Sequence, residues 1–577
     1  MELPPGPVYL LRLFPYFALP STATYFALRL WQSQATFSIP SWIIIVISVF
    51  ARPIIFFFQR YYSGWVDKRA ALAHGAVLAP CMEESPLAII SEVVKGFNGY
   101  PGEAMFRWSK KYGNSVQFSL GSSTTLSTIE PEHVKAILST EFDSFEKGPL
   151  LISQIKSLLG TGVFNADGIF HRAMTRPFFT RERISDFDIY RRNCDTSLAE
   201  ATSRLSEGYP IDFQDLAARF TLDSATEFLF GTSVGCLSAG IPYPPWDVSK
   251  NPLSFYNHPS NTFVTAFAEG LTLAAHRTGR GREWPLAEFM QDKITPFRKI
   301  MDEFTEPLLK DALAKWEREM ATEKHSSETE EETLLAHLVK HTQDPEILKD
   351  ELVNLLVAGR DSTMCLLTYS LYMLSEHPQI EDRLRKEIFE SVGPTGNPTY
   401  SQIREMKYTR AFLNEVLRLY PPVTNKQPIV LPAVSPAEKP IYVPANTSCM
   451  YTVINMHRRT DLWGPDALEF DPDRFLDDRL HKYLAPNPYI FCPFNAGPRI
   501  CLGQQFAYHE ATFFLVRLLQ QFTDFTLDMS ANTPPPAAWA SGDGLKPKEK
   551  IHPISHLTMS VKGGLWIRMK ERRTNDD

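Results

Sequence analysis

Residues 494–503 read Phe-Asn-Ala-Gly-Pro-Arg-Ile-Cys-Leu-Gly, and an apolar stretch with helical spacing, 504–520, follows at once. Read physically, this is a loop that presents one thiolate to a metal. Gly497 permits a tight turn, and Gly503 lets backbone N–H groups come close to the Cys501 sulfur. Those N–H groups, with the N-terminus of the following helix, stabilise negative charge on the sulfur. Arg499 supplies a cation suited to a carboxylate. Phe494 can pack beside the ligand and keep water from it.

The other six cysteines, at 81, 194, 236, 365, 449 and 492, are dispersed without CxxC pairs. That is neither a disulfide framework nor a zinc site, and it fits a reducing compartment. Cys492 lacks the framing of Cys501 and reads as an apolar core thiol. The chain has 577 residues, 44% hydrophobic and 22% charged, which is ample material for a large core. A net charge of −7 without a basic tail excludes nucleic-acid binding as its business.

Upstream, Ala358-Gly359-Arg360-Asp361-Ser362-Thr363 sits within an apolar stretch, 350–375, whose spacing predicts a helix. The composition is costly there. Gly loses about 1 kcal/mol relative to Ala, and Ser or Thr bonds back to the preceding turn. A gap in the helical ladder facing a cofactor explains it; a capped break in an ordinary helix is the alternative. Glu415 and Arg418, in LNEVLRLYPPV, share a helix face at a spacing of three and can pair. Arg474, in the segment FDPDRF at 470–475, lies between that helix and Cys501.

Helical periodicity also marks 213–230 and 296–320, whereas 116–129 alternates like a hairpin and 556–569 reads as strand. The fold class is therefore mainly α with small β-sheets. The first sixty residues differ. Residues 8–30 are mostly apolar but carry Arg12, Pro15 and Pro20; residues 42–58 (WIIIVISVFARPIIFFF) are denser, broken by Arg52 and Pro53. The second stretch is near the lower limit for spanning a bilayer. Arg60, Lys68 and Arg69 follow it, which places the remaining chain on the cytosolic face. A buried core helix is the alternative, and one or two crossings both fit. We divide the chain into a membrane anchor (1–62), a linker (63–99), a catalytic body (100–570) and a polar tail (571–577).

The 494–503 stretch resembles the heme-binding signature of the cytochromes P450, FxxGxRxCxG, with all five fixed positions present. At ~5% per residue type, a chance match is on the order of 10⁻⁴. Residues 358–363 look like the family's oxygen-activating motif, AGx(D/E)T(T/S), with Ser362 where Thr is usual. Glu415, Arg418 and Arg474 match its ExxR helix and PERF-like segment, with Asp473 replacing the commoner Glu. In 171–179 (HRAMTRPFF), Arg172 fits an Arg that touches a heme propionate, but Gly168 stands where the family has Trp. A locally shortened helix and a faulty gene model are both open there. The resemblance runs from about Tyr100 to Met569. FNADG at 164–168, LVAGRDST and SHLTMSVKGGLWI are similar to a fungal, particularly basidiomycete, branch related to alkane and fatty-acid hydroxylases.

The resemblance implies a cytochrome P450 fold behind a transmembrane anchor and a b-type heme with Cys501 as axial iron ligand. It gives Arg499, Phe494, Gly497, Gly503 and Arg172 as cofactor contacts. Asp361, Ser362 and Thr363 become the groups that organise water and relay protons to iron-bound dioxygen. Glu415, Arg418 and Arg474 form a buried, structural charge network. It implies electrons from NADPH through a separate NADPH–cytochrome P450 reductase, the endoplasmic reticulum membrane with the body on its cytosolic face, and a lipophilic substrate. A fatty acid, an alkane or a terpenoid of specialised metabolism fits. Expected pocket segments are those around Phe164 and Phe170, the 213–230 helix, the 353–358 face and Val423-Thr424-Asn425, with 235–282 as an access lid. Two other functions compete: a rearranging or dehydrating heme enzyme without a reductase, which the Asp361-Ser362 pair opposes, and an impaired heme-binding paralogue, which the absent Trp favours.

Overall fold

The computed structural model describes residues 3–35, 38–120, 123–165, 174–179, 187–321, 333–423, 425–426, 439–445 and 447–572. It begins with a helical pair, α1 (Pro5–Gln34) packed along α2 (Ser41–Ala73). Among the described residues, α2 is the one helix long and apolar enough to cross a membrane. Arg52, the cation inside its apolar run, is buried: the guanidinium lies 3.4 Å over the Tyr16 ring of α1 and donates to Gln59. A cation held over an aromatic face is stabilised by the ring. Arg12 and the two internal prolines lower the hydropathy of α1.

The sequence suggested that the anchor stops at residue 62 and a linker follows. Instead α2 continues to Ala73, and strand β1 (Val77–Leu78) and helix α3 (Pro86–Gly96) occupy the rest. β1 pairs in parallel with Ile441–Tyr442, far along the chain. The reason is packing: Ala76 is buried, and Ala79, Met82 and Ile89 join the body's core.

The expected hairpin is present as β2 (Ser115–Leu120) and β3 (Ser123–Thr128), in register from Ser115–Thr128 to Leu120–Ser123. Helices α4 (Pro149–Leu159) and α5 (Asp188–Ser206) follow, then strand β4 (Ile211–Asp212) and helix α6 (Phe213–Phe230). Asp212 caps α6 by accepting from the Gln214 and Asp215 N–H groups, and Gly231 ends it in the left-handed region. Next come α7 (Pro259–Gly279), α8 (Thr295–Ala321), α9 (Pro345–Glu376) and α10 (Lys407–Leu419). α9 starts earlier than its periodicity suggested, because Asp344 caps it and Pro345 takes its first position.

Strands β5 (Asn425–Lys426), β6 (Ile441–Tyr442) and β7 (Ser448–Thr452) precede α11 (Gln504–Gln521), and β8 (Phe522–Leu527), β9 (Pro553–Ser555), β10 (Met559–Val561) and β11 (Trp566–Glu571) close the chain. They form four small sheets among the described residues, the largest in the order β2-β3-β7-β5. The mainly helical class is as expected. The centre of the body is α9, packed between α6 and α11. Phe220 and Phe514 meet across that layer with ring centroids 4.6 Å apart. Burying each such ring stabilises by about 1.5–3 kcal/mol, so the pair holds α6 and α11 in fixed relation.

Candidate active site

Cys501 closes a turn, its N–H donating to the Phe494 carbonyl at 2.9 Å. Two residues of the turn are left-handed, Asn495 (φ 60) and Gly497 (φ 57). Asn tolerates that region, and its Oδ1 accepts from the Tyr451 hydroxyl at 3.0 Å. Gly497 has no substitute, since a β-carbon there would stand 2.2 Å from the Leu138 carbonyl oxygen. The loop thus lies backbone on backbone against the helical turn Ala136–Thr140. Gly503 precedes the first residue of α11, and a β-carbon there would rest 4.0 Å from the Cys501 sulfur. Phe494 packs its ring on Tyr508 of α11, centroids 5.1 Å apart. Arg499 donates to the Phe145 carbonyl and lies 4.9 Å over the Phe142 ring.

Cys501 is exposed, whereas Cys194, Cys236, Cys365, Cys449 and Cys492 are buried. Burial pushes the Cys492 thiol up to about 12, and its S–H donates to the Tyr489 carbonyl at 3.3 Å. Cys492 is therefore a protonated core thiol, as its sequence setting suggested. Cys501 opens into a cavity of 2820 Å³ that reaches from Phe494, Arg499, Gly503 and Phe506 to Ala358, Gly359, Ser362 and Thr363 on α9. Farther out it is bounded by α3, by residues 278–287 and by the first turns of α1.

The motif in α9 does not break the helix. The ladder runs unbroken through Pro345–Glu376, and the Ser362 hydroxyl donates to the Ala358 carbonyl at 2.8 Å. The hydroxyl satisfies its own donor within the helix, so the expected gap is replaced by a back-bond. Gly359 serves close packing, as a β-carbon there would meet that of Ala225 at 3.1 Å. Asp361 points elsewhere. Its carboxylate pairs with Arg360 at 2.6 Å and accepts from Thr558 at 3.4 Å, and Thr558, not Asp361, borders the cavity.

Glu415, Arg418 and Arg474 lie together in the structure. Arg418 Nε and Nη2 each donate to the Glu415 carboxylate at 2.7 Å, with both side chains fully buried. Arg418 also donates to the carbonyls of His457 (2.9 Å), Ala467 (2.6 Å) and Glu469 (3.1 Å). Arg474 lies 3.5 Å from Glu415 and spends its other N–H groups on the Trp463 carbonyl and on Asp466. Asp466 is a member that sequence reasoning missed. Desolvation opposes its ionisation, yet hydrogen bonds from Arg474 and Arg479 draw its carboxyl down to about 2. Asp473 stays outside, paired with Arg383 at the surface.

Glu510 on α11 was also missed. It is fully buried, and neither carboxyl oxygen has a hydrogen-bond partner. The Thr363 hydroxyl faces it without reaching hydrogen-bond geometry, and burial pushes the carboxyl well above the ordinary range. Its only sequence signal is an acid within the apolar run FAYHEATFFL.

Of the other expected pocket positions, Phe164, Val423, three residues of α6 (Ala225, Phe228, Leu229) and three of the 353–358 segment (Leu355, Val357, Ala358) line the cavity. Arg172, Gly168, Phe170 and Thr424 lie outside the described residues. The proposed lid, 235–282, contributes only residues 278–282 to the lining. The reason is Arg277, which is fully buried and paired with Glu288 and Asp292, so α7 packs as a body helix.

These residues fit a porphyrin held by sulfur: one exposed cysteine on a pinned loop, in a mostly apolar cavity. No cluster of three or more His, Cys, Asp or Glu side chains offers another metal site among the described residues.

The chain matches the family model "Cytochrome P450" over residues 84–552. It is 35% identical over 455 residues to cytochrome P450 monooxygenase himC of Aspergillus japonicus, covering 77% of this chain and 74% of that one. It is 34% identical to cytochrome P450 monooxygenase pvhE of Talaromyces variabilis (80% and 83% covered). With cytochrome P450 52E1 of Candida apicola it shares 33% identity (78% and 83% covered). A pinned cysteine loop, a buried Glu–Arg pair behind it and these matches along the same stretch of sequence lead to one assignment: the chain belongs to the cytochrome P450 monooxygenase family.

Proposed function

We propose that this protein is a heme-thiolate monooxygenase that hydroxylates a lipophilic small molecule, taking electrons from NADPH through a separate reductase. The observation that carries the reading is that Cys501 is exposed, where Cys492 nearby is buried, and that it lines the same cavity as Ser362 and Thr363. When bound, the heme supplies dioxygen activation and C–H oxidation. The chain's own part is to hold that group and to manage protons.

Cys501 would hold the heme iron through its sulfur, whose negative charge is favoured by the start of α11 three residues on. Gly497 and Gly503 let the loop lie flat, Phe494 would shield the sulfur, and Arg499 would pair with a propionate; Arg172 would take the second propionate by resemblance. Ser362 gives its hydrogen to the Ala358 carbonyl, which leaves its lone pairs to accept from a water in the cavity. Thr363 beside it offers a second hydroxyl. Asp361 holds a carboxylate one side chain away from the cavity, reached through Thr558, and passes protons inward. Glu415, Arg418 and Arg474 keep the support behind the loop rigid.

Phe164, Phe228, Leu229, Leu355, Val357 and Leu366 supply an apolar wall, which suits a fatty acid, an alkane or a terpenoid. We read residues 1–62 as the anchor, and the cations Arg60, Lys68 and Arg69 that follow support a body on the cytosolic side of the endoplasmic reticulum membrane. The test is the reduced carbon monoxide spectrum of the full chain in membranes, followed by product analysis with reductase, NADPH and a panel of fatty acids and terpenes. A thiolate-type spectrum abolished in Cys501→Ser, with NADPH-dependent hydroxylated product, is expected. Bound heme with an unchanged spectrum in Cys501→Ser would sink the reading, and product without NADPH would favour a rearranging enzyme.

A further inference from the structure

We infer that His457 is a positioning residue for the cysteine loop, a neutral imidazole whose Nε2 accepts the Cys492 N–H and so ties the start of that loop to the helix of the charge network. The inference rests on the heme-thiolate reading above only for its spectroscopic test.

His457 is fully buried. Its two ring nitrogens meet groups of opposite kind. Nδ1 lies 3.2 Å from the Arg418 carbonyl, which can only accept, and Nε2 lies 3.0 Å from the Cys492 backbone nitrogen, which can only donate. One tautomer satisfies both, with the hydrogen on Nδ1 and the lone pair on Nε2. An imidazolium would point a second N–H at the Cys492 N–H. Burial, with the Arg418 and Arg458 cations nearby, brings the imidazole's pKa down to about 3, so the ring stays neutral. Phe491 and Trp463 confine it, with centroids 5.3 and 6.5 Å from its own.

Both ends of the residue lead somewhere. Toward the network, the His457 carbonyl accepts from Arg418 at 2.9 Å while Nδ1 donates back to Arg418. Toward the loop, the Cys492 carbonyl accepts the N–H of Asn495 at 3.2 Å, and Asn495 is the first left-handed residue of the turn that Cys501 closes. The imidazole therefore transmits the fixed position of Arg418 to the residue from which the turn starts. Hydrogen bonds of this kind behind a metal ligand orient it. Without an acceptor, the buried Cys492 N–H is left unpaired, a loss worth about tenfold in the equilibrium between set and displaced loop.

Two variants of the full-length holoprotein separate the two ends. In His457→Gln the side-chain oxygen reaches the place of Nε2 and can still accept from Cys492. In His457→Asn the amide reaches only the place of Nδ1 and can still donate to Arg418. The readouts are the ratio of thiolate-ligated to thiol-ligated heme in the reduced carbon monoxide spectrum, and hydrogen exchange at the Cys492 amide. We expect His457→Asn to move both by about tenfold toward the displaced loop, and His457→Gln to keep both near wild type. Equal behaviour of the two variants, or wild-type behaviour in His457→Asn, overturns the inference. If wild type itself shows no thiolate form, the heme reading has failed, and exchange at Cys492 still decides this one. Should His457→Asn not fold, a His457→Gln protein with wild-type folding but unprotected Cys492 overturns it as well.

Discussion

Gly497 and Leu138 meet with no room for a side chain: a β-carbon on Gly497 would stand 2.2 Å from the Leu138 carbonyl oxygen. The obstacle is backbone, which cannot rotate away as a side chain can. Gly497 also has φ 57, where an L-residue pays about 1–2 kcal/mol.

Gly497→Ala should therefore shift the Cys501 loop rather than be absorbed. We expect heme content to fall sharply in the purified variant while its helical circular dichroism is retained. A variant with full heme and a wild-type spectrum would show that the loop tolerates displacement.

The Glu415–Arg418 pair and its extension to Asp466 make a graded series. Glu415→Leu strands a buried guanidinium and should cost about 3–5 kcal/mol. Asp466→Ala should cost less, because Asp466 is partly exposed. Asp473→Ala removes only a surface pair with Arg383, worth roughly 0–1 kcal/mol. Denaturant unfolding of the three variants checks the order, and a large loss in Asp473→Ala would contradict it.

Ser362 donates to the Ala358 carbonyl and borders the cavity. Ser362→Ala removes that hydroxyl without altering the helix. Removing one proton-handling group costs about 10²–10⁴-fold, and with Thr363 adjacent we expect the lower end, as product lost per NADPH consumed. Ser362→Thr should retain coupling. Undiminished coupling in Ser362→Ala would place proton delivery elsewhere.

Glu510 gives a pH-dependent outcome. Burial raises its pKa in the folded protein well above the ordinary 4.5. Above pH 4.5 the unfolded chain releases this proton while the folded chain keeps it. The native state is thus penalised as pH rises, by about 1.4 kcal/mol per unit until the folded group ionises. Glu510→Gln removes that slope. Its stability relative to wild type should climb between pH 5 and pH 6 in urea titrations; a pH-independent difference would mean that the acid is ionised in place.

Thiol labelling reads out burial directly. In heme-free folded protein, Cys81 and Cys501 are the exposed cysteines, so an alkylating reagent should modify these two first. Heme should protect Cys501 and leave Cys81 reactive. Early modification of Cys492, whose thiol is pushed up to about 12, would mean that the loop opens.

The residues legible in sequence were those whose partners lie within a turn or two. Cys501 with Gly497 and Gly503, and Glu415 with Arg418, fall in this class, because loop and helix geometry fix such neighbours locally. Asp466 and His457 were illegible, since each acquires its meaning from Arg474, Arg418 or Cys492 across a fold that spacing cannot reveal. Glu510 sat on a helix read only as apolar. Within 63–99, the strand Val77–Leu78 was not read, because two-residue strands carry almost no periodic signal. The 235–282 stretch looked like a lid from its prolines and aromatics, yet the ion pairs of Arg277 bind its last helix into the body.

α2 has 33 residues, about 50 Å of helix at ~1.5 Å per residue, against a hydrocarbon layer of about 30 Å. On the anchor reading, the surplus emerges into the cytosol still helical, and three residues later the chain is zipped to Ile441–Tyr442. The enzyme then stands on a mast and has no tether on which to swing. Its height over the lipid and its heading about the bilayer normal are set together, so one residue inserted into α2 would swivel the whole body by about 100°.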